Sequence, residues 1–177
     1  MSLEEEFNII ATTARGLEFD GLGELWDLFR EVGDDKAEVK ISQVSGIIIA
    51  KTSLNPFDVV EKIKLMVSKD PWKVKNLLRI IPLEANIEAE LKAMENKVKE
   101  LKDRIGKNET FRITVEKRFA SLSSRDIIEA IAKHIDRKVD LEEPDWIVLV
   151  EIIKDRAGIS VLKRSEILSF VKLKKGD

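Results

Sequence analysis

Residues 146–153 read Trp-Ile-Val-Leu-Val-Glu-Ile-Ile, eight positions interrupted by one acid. The run is far too short to cross a bilayer as a helix. A half-exposed strand would alternate polar and apolar residues, and a surface helix would break the run every three or four. Apolar character on both alternating sides predicts an interior strand covered on both faces. A partner strand, Ile159 to Leu162, follows after a turn at Asp155–Gly158. The chain must therefore supply a sheet and the layers that cover it.

The upstream sequence supplies alternating elements. Phe7–Thr13 is short, apolar and partly β-branched, which predicts a strand. Gly21–Val32 places Leu22, Leu25, Trp26, Leu28, Phe29 and Val32 on one helical stripe, and Gly33 stops it. Ala37, Val39, Ile41 and Val44 alternate with polar residues, Ser45-Gly46 marks a turn, and Ile47–Thr52 returns as a second strand. Asn55 and Pro56 open a helix that buries Phe57, Val60, Ile63, Leu65 or Met66, and Val67, and Asp70-Pro71 ends it. Val74–Ile81 is extended again. This βαββαβ order is the split-βαβ, ferredoxin-like pattern.

After Pro82 the pattern changes. Ile87, Leu91, Met94, Val98, Leu101 and Ile105 step by four and three, predicting a long helix over Asn86–Ile105. Two uses are open for that seam: packing within the chain as a connector, or pairing two copies as a coiled coil. Phe111, Ile113 and Val115 alternate in a strand. Ser123 or Ser124 caps a helix over Arg125–Ile135 that buries Ile127, Ile128, Ile131 and Ile135. Val139–Leu141 is a short extended piece, and the polar tail Lys172–Asp177 is expected to fray. The expected architecture is α+β, with an N-terminal ferredoxin-like domain at 1–84. A connector helix and a C-terminal α/β domain would fill 85–177.

Composition narrows the function. Of the 177 residues, 44% are hydrophobic and 36% charged, with 31 Lys+Arg nearly cancelling 33 Asp+Glu. Such a chain has the apolar residues for a core and lacks the net charge of a disordered one. Cysteine is absent, which excludes disulfides, thiolate metal sites and thiol nucleophiles. Histidine occurs once, as His134, and tyrosine not at all. No phosphate-binding loop or nucleophile elbow is present, and Gly21-Leu22-Gly23 is a lone G-x-G at a helix entry. His134 lies beside an isoleucine stripe with no nucleophile or base in view, so a structural or surface role is expected. The expectation is a protein with no catalytic residue, no metal and no cofactor. No membrane segment is expected, and an acidic start where a secretory signal would be basic points to the cytoplasm.

Charge is unevenly divided. Residues 1–84 hold 11 Lys+Arg against 15 Asp+Glu, and residues 85–177 hold 20 against 18. A polyanion partner would therefore favour the second half. There the segment Thr110–Asp126 gathers Arg112, Lys117, Arg118 and Arg125 around a strand end and a helix start. Amides at such a start, with Ser123 and Ser124 as hydroxyl donors, suit a phosphate. The candidate phosphate-binding residues are Lys117, Arg118, Ser123, Ser124 and Arg125, with Lys163 and Arg164 after the last core strand as further candidates.

The same residues carry a resemblance. Phe111-Arg112-Ile113-Thr114-Val115-Glu116-Lys117-Arg118, then Ser123-Ser124-Arg125-Asp126-Ile127-Ile128, is similar to the start of a THUMP domain. Val139-Asp140-Leu141-Glu142-Glu143-Pro144-Asp145-Trp146 through Ile152 and the closing Gly158–Lys163 resemble its remainder. The resemblance covers roughly residues 86–172. It implies tRNA binding at the acceptor 3′ end, beside a ferredoxin-like companion domain. It also implies a partner enzyme, because a THUMP chain of this length resembles the non-catalytic adaptor of tRNA cytidine acetylation. Ile80–Ala85 resembles the junction before the connector helix in that subfamily, although Asn86 stands where some relatives carry cysteine. Service to a different tRNA enzyme, a thiolase or methyltransferase, is the first alternative, and a scaffold protein without RNA is the second. The expected state is a monomer or weak dimer.

Overall fold

The computed structural model describes residues 1–176. The chain divides into two compact units, 1–83 together with 165–177, and 84–164. The sequence of the second unit is thus inserted into that of the first. No helix among the described residues is long and apolar enough to cross a membrane.

The first unit starts with a short helix, α1 (Leu3–Glu6). Then come β1 (Ile9–Thr13), α2 (Glu18–Glu31), β2 (Glu38–Ile41), β3 (Ile47–Lys51), α3 (Pro56–Ser68) and β4 (Leu77–Pro82). Every element predicted here is present. β1 lies between β3 and β4, antiparallel to both, and β2 pairs with β3 at one edge. Gly46, at φ +75°, makes the β2–β3 turn, and a Cβ there would stand 2.7 Å from the Thr13 carbonyl oxygen. Asn55 caps α3 by accepting from the Phe57 and Asp58 amides. Leu25, Leu28 and Phe29 of α2 and Val59, Val60, Ile63 and Val67 of α3 pack against Ile9, Ala11, Ile48 and Ile80 of the sheet. The buried Asp34 accepts from Thr52 Oγ1 and from the Ser53 amide at 3.1 Å, tying the end of α2 to the end of β3. Trp26, expected on the buried stripe, is exposed, and so is Leu65. The core face of α2 centres on Gly21, Leu25 and Leu28, and Trp26 falls on its outer side.

The second unit contains β5 (Ala85–Glu88), α4 (Leu91–Leu101), β6 (Thr110–Arg118), α5 (Ser124–Ala132), β7 (Lys138–Val139), β8 (Trp146–Ile153) and β9 (Arg156–Leu162). The sheet order is β5-β9-β8-β6-β7. β8 is interior, parallel to β6 and antiparallel to β9, and all but its first residue are buried. The predicted helix over Asn86–Ile105 is shorter than expected. Ala85, Ile87 and Ala89 also alternate, and β9 offers an open edge, so β5 forms there in register with Ile159 to Arg156. Met94, Val98 and Ile105 of the seam are buried in this unit's own core, with Ile87, Leu91 and Leu101 packed against it. The seam is therefore consumed within the unit and leaves no stripe for a coiled coil. Ile128, expected inside, is exposed.

Beyond the second unit the chain forms β10 (Leu168–Ser169) and α6 (Phe170–Lys174). Sequence reading assigns this tail to the second domain, yet β10 pairs antiparallel with β4 and extends the first sheet. Leu168 and Phe170 are each 1% exposed in the first unit's core. The expected fraying is not seen over Lys172–Lys174, which belong to α6; the final residue, Asp177, lies outside the described residues.

The single histidine is a structural group. His134 Nε2 meets Glu95 Oε1 at 2.7 Å and Lys133 Nζ meets the same oxygen at 3.1 Å, joining α5's C-terminal end to α4. Hydrogen bonds from His134 and then Lys133 hold the Glu95 carboxyl at about 2, well below the usual 4.5. A depressed carboxylate stabilises the fold above the unfolded value, and the gain is lost as pH falls through the folded value. The second unit should therefore lose stability between about pH 4.5 and 2. Glu95→Gln should lower its melting temperature at neutral pH and flatten that acid limb. An unchanged acid limb in the variant would show that another group governs it.

Candidate nucleic-acid interface

β6 and β8 run parallel, so their carboxyl ends lie side by side, with Arg118 opposite Ile153. Crevices at such strand ends are where open α/β sheets bind ligands. Here the chain leaves β6 through Phe119, a non-glycine residue at φ +55°, and leaves β8 through Lys154 at φ +57°. The Lys154 amide donates to the Arg118 carbonyl at 2.9 Å, which locks the two exits together. A cleft of about 440 Å³ opens beside them, lined by Ala89, Phe119, Ala120, Ser121, Leu122, Lys154 and Asp155. Phe119 is 73% exposed, although the ring is large and apolar. Its left-handed backbone aims it out of the strand and away from the core.

The predicted site residues divide into three groups. Lys117, Ser123, Ser124 and Arg125 stand at this end of the sheet. Lys117 Nζ donates to the Leu122 carbonyl at 3.0 Å, bracing the loop that walls the cleft. Ser123 caps α5, accepting from the Asp126 amide, and Ser124 begins the helix. Arg125 is exposed and pairs with Glu129 at 3.0 Å, one turn along α5. A solvent-exposed pair of this kind is weak and readily exchanged for a phosphate.

Arg118 belongs to this end but is otherwise engaged. Its Nη1 meets Glu151 Oε2 at 2.5 Å, and the Glu151 side chain is 1% exposed. The guanidinium neutralises an acid embedded in the apolar strand β8, so its first duty is to the fold.

Lys163 and Arg164 lie elsewhere. Leu162 pairs with Ile147 at the beginning of β8, so Lys163 is level with Trp146, whose ring its ammonium covers at 5.2 Å. Arg164 Nη2 reaches toward the Glu142 carbonyl at 3.4 Å. Seven strand residues separate this level from Arg118, which is about 23 Å at the usual rise. The structure therefore does not bring Lys163 and Arg164 to the cleft.

Phe119 and Lys154 do not stand out in the sequence. A left-handed φ on a residue with a side chain leaves no compositional mark, and Lys154 merely precedes the turn read at Asp155–Gly158. Among the described residues, no group of three or more His, Asp or Glu is arranged to hold a metal ion.

Residues 88–162 match the family model described as THUMP domain. No curated protein matches the chain. Among solved structures, PH1313 from Pyrococcus horikoshii Ot3 aligns at 19% identity and a TM-score of 0.60, over 89% of this chain and 55% of its own. TrmN from Thermus thermophilus aligns at 18% identity and a TM-score of 0.60, over 86% of this chain and 44% of its own. A 4-thiouridine synthetase solved in complex with RNA and bound ATP aligns at 16% identity and a TM-score of 0.50, over 89% and 42%. At these identities the likeness is one of fold. The chain spans about half the length of these structures or less.

Proposed function

We propose, starting from the THUMP domain at residues 88–162, that this chain is a non-catalytic RNA-binding protein that presents tRNA to a separate modifying enzyme. The cleft at the carboxyl ends of β6 and β8 is the proposed RNA site. The observation that carries this reading is Phe119, held in the open on a left-handed backbone beside Lys117 and Lys154. An exposed ring offers a stacking platform to an unpaired base, and nearby ammonium groups attract the phosphates that flank it. Sequence-specific and end-specific RNA recognition works on such unstacked nucleotides.

The enzyme served is, in this reading, a tRNA cytidine acetyltransferase, acting in the cytoplasm. A methyltransferase or a thiolase is the second choice. The solved relatives favour it, because one is a 4-thiouridine synthetase and another is a putative methyltransferase complexed with SAH. The first unit supports the proposal as a ferredoxin-like companion domain, since its β4-β1-β3-β2 order is that of a split βαβ pair.

Filter binding of tRNA against salt tests the site. Lys117→Ala with Arg125→Ala should reduce the slope of log affinity against log salt by about 0.7 to 0.9 for each phosphate that is no longer neutralised. Phe119→Ala should weaken binding by about tenfold at every salt concentration, leaving the slope in place, because a stacked base contributes through its ring. Phe119→Trp should restore it. Equal affinities for Phe119→Ala and wild type would place the RNA elsewhere. Nucleoside mass spectrometry of tRNA from a deletion strain identifies the modification and hence the enzyme.

A further inference from the structure

Helix α2 contains two glycines with opposite explanations. A Cβ on Gly21 would come within 2.4 Å of Thr13 Cγ2 and 3.2 Å of Ile48 Cδ1, so the close approach of α2 to the sheet requires glycine. A Cβ on Gly23 would meet nothing within 4 Å. Gly23 sits in the interior of a 14-residue helix, where only proline is costlier, and nothing within this chain accounts for it. Phe19 and Trp26 stand one turn to either side on the same face, at positions four before and three after. They are 79% and 42% exposed. Two rings thus flank a notch in which the helix backbone is bare.

We infer that this face, Phe19, Gly23 and Trp26, is a docking surface for the separate modifying enzyme, which inserts an apolar ridge into the notch. The inference rests on the proposal that the chain serves such an enzyme. Charge selects the occupant. α2 carries Glu18, Asp20, Glu24, Asp27 and Glu31, the last paired with Lys73, against Arg30, which lies one heptad past Gly23. Asp20 and Asp27 are exposed and one heptad apart, along one flank of the notch. Such a border repels RNA phosphates and a second copy of the same helix alike. It attracts a protein surface with lysine or arginine beside its apolar ridge. Aromatic anchors around a recess are also where protein interfaces concentrate their affinity.

The test measures binding of the full chain to the purified tRNA cytidine acetyltransferase of the same organism, with tRNA binding recorded in parallel. Gly23→Gln fills the notch with a good helix former, and Gly23→Ala fills it minimally. Both should raise the melting temperature of the first unit, because glycine is replaced in open space. Gly23→Gln and Phe19→Ser should weaken enzyme binding tenfold or more while tRNA affinity stays at the wild-type value. A variant that is more stable yet docks poorly cannot be explained by misfolding. Equal enzyme binding by wild type and both variants would overturn the docking face and leave the adaptor reading standing. A wild-type chain that binds tRNA but not the enzyme would overturn both. Dimerisation of the wild type that Gly23→Gln abolishes would assign the face to a second copy and overturn the inference.

Discussion

Replacing Arg118 with alanine is expected to lower the melting temperature of the second unit by about 15 °C, from a loss of about 3 kcal/mol. The reason is Glu151. It is the lone acid of β8, it has no exposed surface, and the Arg118 guanidinium lies against it. Desolvating a carboxylate is tolerated when a cation compensates it, and removing the cation leaves the cost behind. Replacing both residues with apolar ones of similar size, Arg118→Met with Glu151→Leu, should recover much of the loss, since the pair is not intrinsically better than a packed apolar core. Calorimetry on the single and double variants checks this. A single variant as stable as wild type would mean that the pair is solvated and that Arg118 is available to RNA.

The second large effect concerns the end of the chain. Removing residues 165–177 should unfold the first unit while the second stays folded. The segment contributes Leu168 and Phe170, both 1% exposed, and β10, which pairs with β4. Burial of two such side chains, with the cavity their loss leaves, comes to roughly 5 kcal/mol or more. That approaches the entire stability of a small domain, about 5–15 kcal/mol. Hydrogen exchange should show protection lost in β1 and β3 and retained in β6 and β8. Phe170→Ala alone should cost about 3 to 4 kcal/mol. Full protection of β1 in the truncated chain would show that the tail is dispensable.

These two cases also show what can be read from residue order. β8 is legible because seven apolar residues in a run of eight suit a strand covered on both sides. Its one acid, Glu151, is a visible sign of a buried ion pair, but the partner is not, because strand register brings Arg118 to it across 33 positions. The βαββαβ order of the first unit is legible from periods of two and 3.6, with a cap at Asn55 to mark a helix start. β5 is not, since Ala85, Ile87 and Ala89 satisfy a strand period while Ile87, Leu91 and Met94 satisfy a helical one. The open edge of β9 decides between them. β10 is too short to announce itself, and only the edge of β4 gives Leu168 a place. At the cleft, the cations Lys117 and Arg125 can be read from their clustering at a helix start. Phe119 cannot, because its exposure follows from a backbone angle.

The insertion of one unit into the sequence of the other sets an order of events on the ribosome. Residues 1–83 emerge first, yet their sheet lacks β10 and their core lacks Phe170 until the remainder has been translated. At about 5–20 residues per second the intervening stretch takes roughly 4 to 16 s to make. The later-made unit is continuous in the chain and can finish folding before the earlier one closes. During that wait the outer edge of β4 presents unpaired backbone groups, the kind of surface that nascent chains of the same message can join. Slow codons within 84–164 would lengthen the exposure, and faster ones would shorten it, so the yield of folded protein is expected to vary with translation speed in a region that contributes nothing to the sheet at risk.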